Sequence, residues 1–90
     1  MLNFPKWLNR IAANKEIKGN DLRVFLVLLG AADSYRNSEI TQVEIARILN
    51  VLPQQVNRSI QNLEKNGVIK RLQINRLTYG FKLKVDSVEI

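Results

Sequence analysis

The chain contains no cysteine and no histidine. The first absence excludes disulfides and thiolate metal sites. The second removes the commonest general base and the commonest metal ligand. Long apolar runs are also missing. The longest, Val24 to Leu29, is far too short to span a bilayer. The amino-terminal stretch has one lysine before Trp7 but no apolar segment followed by a small-residue cleavage site. No secretory signal is therefore expected, and the cytoplasm is the expected location. There is no Gly-rich phosphate loop. Glu16, Asp21, Asp33, Glu39, Glu44 and Glu64 form no close pair suited to acid–base work. Neither an enzyme nor a resident cofactor or metal is expected.

What remains suits one modest domain: 90 residues, 46% of them hydrophobic. Acidic residues are scarce in one region. Between residues 53 and 84, Arg58, Lys65, Lys70, Arg71, Arg76, Lys82 and Lys84 stand against Glu64 alone. A basic block of this kind is either the footprint of a polyanion partner or a solvated surface kept for solubility.

The apolar spacing predicts mostly helices. Pro5 suits a first helical position, and Leu8, Ile11 and Ala12 follow at helical spacing. Asn20 or Asp21 can cap the next helix, "DLRVFLVLLGAADSY". That helix is apolar nearly all round, so it is central to the fold or shared with another subunit. A buried strand competes for "VFLVLL". A short strand is expected at Ser38–Ile40. Thr41-Gln-Val-Glu44 is a capping-box pattern opening a helix whose Val43, Ile45, Ala46, Ile48 and Leu49 are expected mostly inward. Asn50 ends that helix, Val51 plugs the turn, and Pro53 opens the next helix. There Val56, Ile60 and Leu63 form one narrow apolar stripe before Gly67. Ser59 is expected to pack. Val68 and Ile69 then lead a strand, and Tyr79, Phe81, Leu83 and Val85 alternate with polar or small residues. The pair reads as a hairpin with Asn75-Arg76 at its tip.

This order resembles the winged helix-turn-helix domain of prokaryotic DNA-binding proteins. Ala46, Asn50-Val51, Val56, the run "VNRSIQNLEKNGVIKR" and the following hairpin carry the resemblance. It is specific over residues 41–71 and extends upstream through "DLRVFLVLLGAADSYRNSEI". Within that superfamily the layout is similar to MarR-type regulators, and more so to DNA-binding domains of phage and plasmid replication initiators. Two positions depart from the pattern. Asn50 stands where Gly is usual, and Leu52 where a Ser or Thr usually caps the recognition helix. A lost cap costs roughly 1 kcal/mol, and Leu52 leaves Pro53 to set the helix start without side-chain help.

The resemblance implies an α+β, mainly α fold: a three-helix core, a β-hairpin wing and an extra N-terminal helix. The expected limits are a leading helical segment 3–19, a helical core 20–67 holding the helix-turn-helix 41–67, and a wing 68–85, all in a single domain 1–90. It implies double-stranded DNA as partner. On the second helix of the motif, Gln54, Gln55, Asn57, Arg58 and Gln61 are the expected base readers, because amides pair with adenine and guanidinium with guanine. Thr41, Gln42, Arg71, Arg76, Lys82 and Lys84 are the expected backbone contacts. Trp7, Phe4, Tyr35, Tyr79 and Phe81 are assigned to core or interface rather than to base stacking. The apolar surface of Phe4, Trp7, Leu8, Ile11 and Phe25 is either covered within one chain or paired across a two-fold axis. The second arrangement, a homodimer on palindromic or repeated sites, is the expected one. The task is transcriptional control or origin recognition for a plasmid or phage. The competing reading is a winged helix that serves only as a protein-interaction module.

Overall fold

A computed structural model describes residues 6–73 and 79–84. The positions of Phe4, Pro5, the hairpin tip Asn75-Arg76 and Val85 lie outside the described residues, as does the side chain of Trp7. Four helices and three strands follow in order: α1 (Lys6–Ala13), α2 (Asn20–Gly30), β1 (Asn37–Ser38), α3 (Gln42–Leu49), α4 (Pro53–Lys65), β2 (Ile69–Gln73) and β3 (Tyr79–Leu83). This is the winged helix-turn-helix arrangement.

The run Val24–Leu29 is helix, not strand, and α2 lies at the centre. Val24, Phe25 and Leu28 are buried on its inner face, while Leu22, Val27 and Leu29 pack at the margin. Leu26 is the exception, 58% exposed on the outer face. The start of α2 differs from expectation. Neither Asn20 nor Asp21 caps it; Gly19 occupies the cap position at φ 59°, a backbone region that suits glycine. The Asp21 carboxylate instead accepts hydrogen bonds from the Lys18 amide and from Asn62.

Two of the residues expected at a dimer interface are interior. Ile11 and Phe25 share the core with Ile17, Leu28, Ile45, Ile60 and Leu63, and Leu8 packs against that core. The leading segment thus joins the core of its own chain. Burial of this kind removes apolar area from water at ~1.5–3 kcal/mol per large side chain, which leaves Ile11 and Phe25 no exposed area to offer a second subunit.

In α3 the 3.6-residue period turns Ile45, Ala46 and Leu49 toward the core. Val43 and Ile48 were expected inward but are 56% and 61% exposed. They lie on opposite flanks of that face, and a helix of eight residues has one packed side only. The strand expected at Ser38–Ile40 is shifted and shorter, at Asn37–Ser38.

The sheet is antiparallel, in the order β1-β3-β2. Ile69 faces Leu83 and Arg71 faces Phe81 across β2 and β3. With period-2 alternation these four share the side packed on the helices. Ile69, Phe81 and Leu83 are buried there. Lys70 and Lys82, also direct partners, share the opposite side. Among the described residues no helix is long and apolar enough to cross a membrane.

Candidate nucleic-acid interface

The helix-turn-helix is built by local chemistry. Thr41 Oγ1 accepts the Glu44 amide at 3.1 Å, and Glu44 Oε1 accepts the Thr41 amide at 3.0 Å. The expected capping box is therefore complete. The hydrogen bonds from Thr41, with Arg47 nearby, hold the Glu44 carboxyl below its ordinary pKa. Asn50 takes the left-handed conformation, φ 57° and ψ 47°, in place of the usual Gly. Val51 donates its amide to the Ala46 carbonyl at 3.0 Å, which fixes the turn.

Leu52 changes the start of α4 less than expected. Its side chain accepts nothing, but the amide oxygen of Gln55 accepts the Leu52 N–H at 2.9 Å. Half of a capping box is present, supplied from three residues ahead. The expectation that Pro53 acts without side-chain help is corrected accordingly.

On α4, Val56, Ile60 and Leu63 are fully buried and Ser59 is 4% exposed. Opposite them Gln54, Arg58, Gln61 and Lys65 recur at i, i+4, i+7 and i+11, all exposed. This outer stripe holds three of the five expected base readers. It adds Lys65, which the helical period alone would have placed there.

The other two expected readers sit on the flanks and are tied down. Gln55 serves the helix start. Asn57 is half-buried, and its Oδ1 accepts Gln42 Nε2 at 3.5 Å and Arg71 Nη2 at 3.4 Å. These are long, weak hydrogen bonds. A bidentate contact with adenine needs both atoms of the amide. For Asn57 and Gln55 the oxygen already accepts within the chain, so a contact with adenine would compete with those bonds or draw on the remaining lone-pair capacity.

The expected backbone contacts divide similarly. Thr41 uses its hydroxyl and amide in the capping box. Gln42 leans on Asn57. Arg71 pairs through Nε with Glu64 at 2.9 Å, with the two side chains 44% and 32% exposed. So open a pair contributes ~0–1 kcal/mol, and its charge is only partly offset. Lys82 and Lys84 are exposed, on the side of the sheet away from α4. Arg76 lies outside the described residues. Tyr35, assigned to core or interface, is 74% exposed and so is not part of the core.

One group had no local signal in the sequence. Asn62 Nδ2 donates to the Glu16 carbonyl and to Asp21 Oδ2, each at 2.7 Å. Asn66 Nδ2 donates to the Asn62 carbonyl at 2.9 Å, and Asn14 Nδ2 donates to Asn66 Oδ1 at 3.3 Å. These amides strap the α1–α2 connection along one flank of α4. Arg58 borders the same region, in a shallow depression shared with Glu16, Lys18 and Asp21. The carboxylates there lower the positive potential around the one arginine of the outer stripe.

Compared with known proteins, residues 35–70 match the family model described as winged helix-turn-helix DNA-binding. A comparison with curated proteins gives no match. The matched segment begins just before β1, contains both helices of the motif and ends as β2 begins. With the capping box, the left-handed turn and the strand pair all in place, residues 35–70 form a winged helix-turn-helix DNA-binding domain.

Proposed function

We propose that the chain binds double-stranded DNA in a sequence-dependent way, reading bases with the outer stripe of α4. The observation that carries this is the stripe itself. Gln54, Arg58, Gln61 and Lys65 stand exposed in line on a helix whose opposite face is fully buried. An α-helix fits the major groove, where Gln discriminates adenine and Arg guanine at ~1–3 kcal/mol per good pair. Asn57 and Gln55 flank the stripe and support it, holding the helix against α3 and setting its start. Backbone contact then falls to Lys65, to the remaining N–H groups of Arg71, and to the amides of Gln42 and Val43 at the start of α3.

The biological setting in this proposal is transcriptional control or recognition of a plasmid or phage origin, with the protein associated with DNA in the cytoplasm. Two chains on a palindromic or repeated site belong to the same proposal. What supports the pairing is the fit of two recognition helices to half-sites one helical turn apart. The leading segment no longer does, since Ile11 is interior.

Selection of bound duplexes from a random pool tests the reading. A defined enriched site, with binding that falls steeply as salt rises, is the expected result. Recovery of unselected sequence would leave phosphate contact only. No duplex binding at low salt would return the domain to the protein-interaction class.

A further inference from the structure

The sheet carries a second concentration of positive charge. Lys70 and Lys82 are direct cross-strand partners on the side that α4 does not touch, both exposed. Lys84 follows Lys82 by two residues, hence on the same side. Asn37 pairs with Lys82 from the other edge and brings the turn before β1 alongside. An open groove of about 420 Å³ runs there, lined by Tyr35, Arg36, Lys70, Lys82 and Lys84. Among the described residues no carboxylate lines it.

Two features set this groove apart from an ordinary solvated strand face. Like charges directly opposite one another destabilise a strand pair. Lysine on an exposed edge strand guards against aggregation, which accounts for Lys70 on β2. It does not account for Lys82 on the central strand β3. The second feature is the turn that presents Tyr35. Asp33 Oδ1 accepts the amides of Tyr35 and Asn37 at 2.8 and 3.0 Å. Arg36 sits at φ 66°, a conformation costly for a side chain of its size. Its amide donates to the Asp33 carbonyl at 3.0 Å, and its own carbonyl accepts Leu83 N–H at 2.8 Å. The turn is thereby pinned to β3, with the Tyr35 side chain left 74% exposed beside the lysines.

The groove also looks in a different direction from the recognition stripe. Arg71 reaches Glu64 and Asn57, so the sheet lies along that flank of α4. At 3.6 residues per turn this flank is roughly a quarter-turn from Gln54, Arg58, Gln61 and Lys65. A duplex seated on the stripe does not cover the far side of the sheet.

We propose that this groove is a second nucleic-acid site that takes a nucleotide unit of a single strand. Phosphates sit among Lys70, Lys82 and Lys84, and a base stacks on Tyr35. Aromatic rings beside cationic grooves bind single strands in this way, because an unpaired base offers its face. A duplex keeps its base faces stacked inside. The volume agrees, being near the lower end of the ~300–1,000 Å³ typical of small-ligand sites. The inference uses residues other than the duplex-reading stripe and stands independently of it. A free nucleotide offers the same chemistry, so the test includes one.

The experiment is fluorescence anisotropy at low salt with a labelled oligothymidylate about twelve nucleotides long. A duplex carrying the site enriched from the random pool serves as the second probe. The single strand is expected to bind. Tyr35→Ala and the double variant Lys70→Gln/Lys82→Gln should each weaken it about tenfold, with a far smaller loss on the duplex. Gln54→Ala/Gln61→Ala should do the reverse. Saturating duplex should not displace the strand, and thymidine monophosphate at the strand's own concentration should not compete. Circular dichroism melts confirm that the surface variants fold. Displacement by duplex, indifference of the strand to both groove variants, or equal loss of duplex binding in them would each overturn the proposal. Equal competition by the mononucleotide would overturn the assignment to a strand. Failure of the duplex arm alone bears on the proposed function and not on this site.

Discussion

Gln55 has two possible uses that draw on the same amide. Its oxygen holds the Leu52 N–H at 2.9 Å, where a Ser or Thr at position 52 would have capped α4 in its own way. Gln54, one residue earlier, is exposed and has no such bond. The two glutamines should therefore separate on substitution. Gln55→Ala is expected to lower stability by ~0.5–1.5 kcal/mol, the worth of an ordinary hydrogen bond. Gln54→Ala should stay within ~0.5 kcal/mol, as a surface change does. On DNA the order reverses, with Gln54→Ala costing ~1–3 kcal/mol on the preferred site and little elsewhere. Urea titrations and binding isotherms on the two variants check both halves. Equal stability of the variants would show that the Leu52 contact contributes nothing to the helix start.

Among the elements, α3 shows how a short helix is held. Eight residues are too few to be stable alone. The capping box and the packing of Ile45 and Ala46 supply the rest. Because Glu44 is held below its ordinary pKa by its bonds to Thr41, its folded-state pKa lies under its unfolded one. The stabilisation is then fully present above the unfolded carboxylate value and is lost as pH falls through the folded one. Melting temperatures of the native chain and of Glu44→Gln should diverge least in acid and most near neutrality; a constant gap across that range would remove the charged bond from the account. Thr41-x-x-Glu44, the Pro53 start and the stripe of Val56, Ile60 and Leu63 were legible because each is written within one or two turns of chain. Asn62 with Asp21, and Asn14 with Asn66, were not, since 41 and 52 residues separate the partners. Nor was the exposure of Val43 and Ile48. An apolar residue declares which neighbours it could join, not whether a short helix has a second packed face.

For the molecule as a whole, the interior position of Ile11 decides how the leading segment contributes. Packed against the chain's own core, it adds to folding stability and not to association. Ile11→Val should cost ~0.5–1.5 kcal/mol. In a chain of this size that lowers the melting temperature by ~4–8 °C per kcal/mol. The shift should be the same at all protein concentrations. A melting point that rose with concentration in the native chain, and rose less in the variant, would move Ile11 to a contact between subunits. The charge layout follows the same division. Outward cations gather on the α4 stripe and on the far side of the sheet, while Arg71 between them is joined to Glu64.

The amide strap along α4 also bears on how the protein ages. Asn66 is followed by Gly67, a pair prone to deamidation because the Gly nitrogen can attack the Asn side-chain carbonyl and expel ammonia. Here the Gly67 N–H is bonded to the Glu64 carbonyl at 3.0 Å. The Asn66 side chain is also held by Asn62 and Asn14. The folded chain should thus keep Asn66 intact far longer than the unfolded one. Asn14→Ala, which frees one end of the strap, should shorten that lifetime, as peptide mass spectrometry after storage at mildly alkaline pH would show. Once formed, the new carboxylate would stand beside Asn62, whose own amide holds Asp21. The damage would thus loosen the brace that had delayed it.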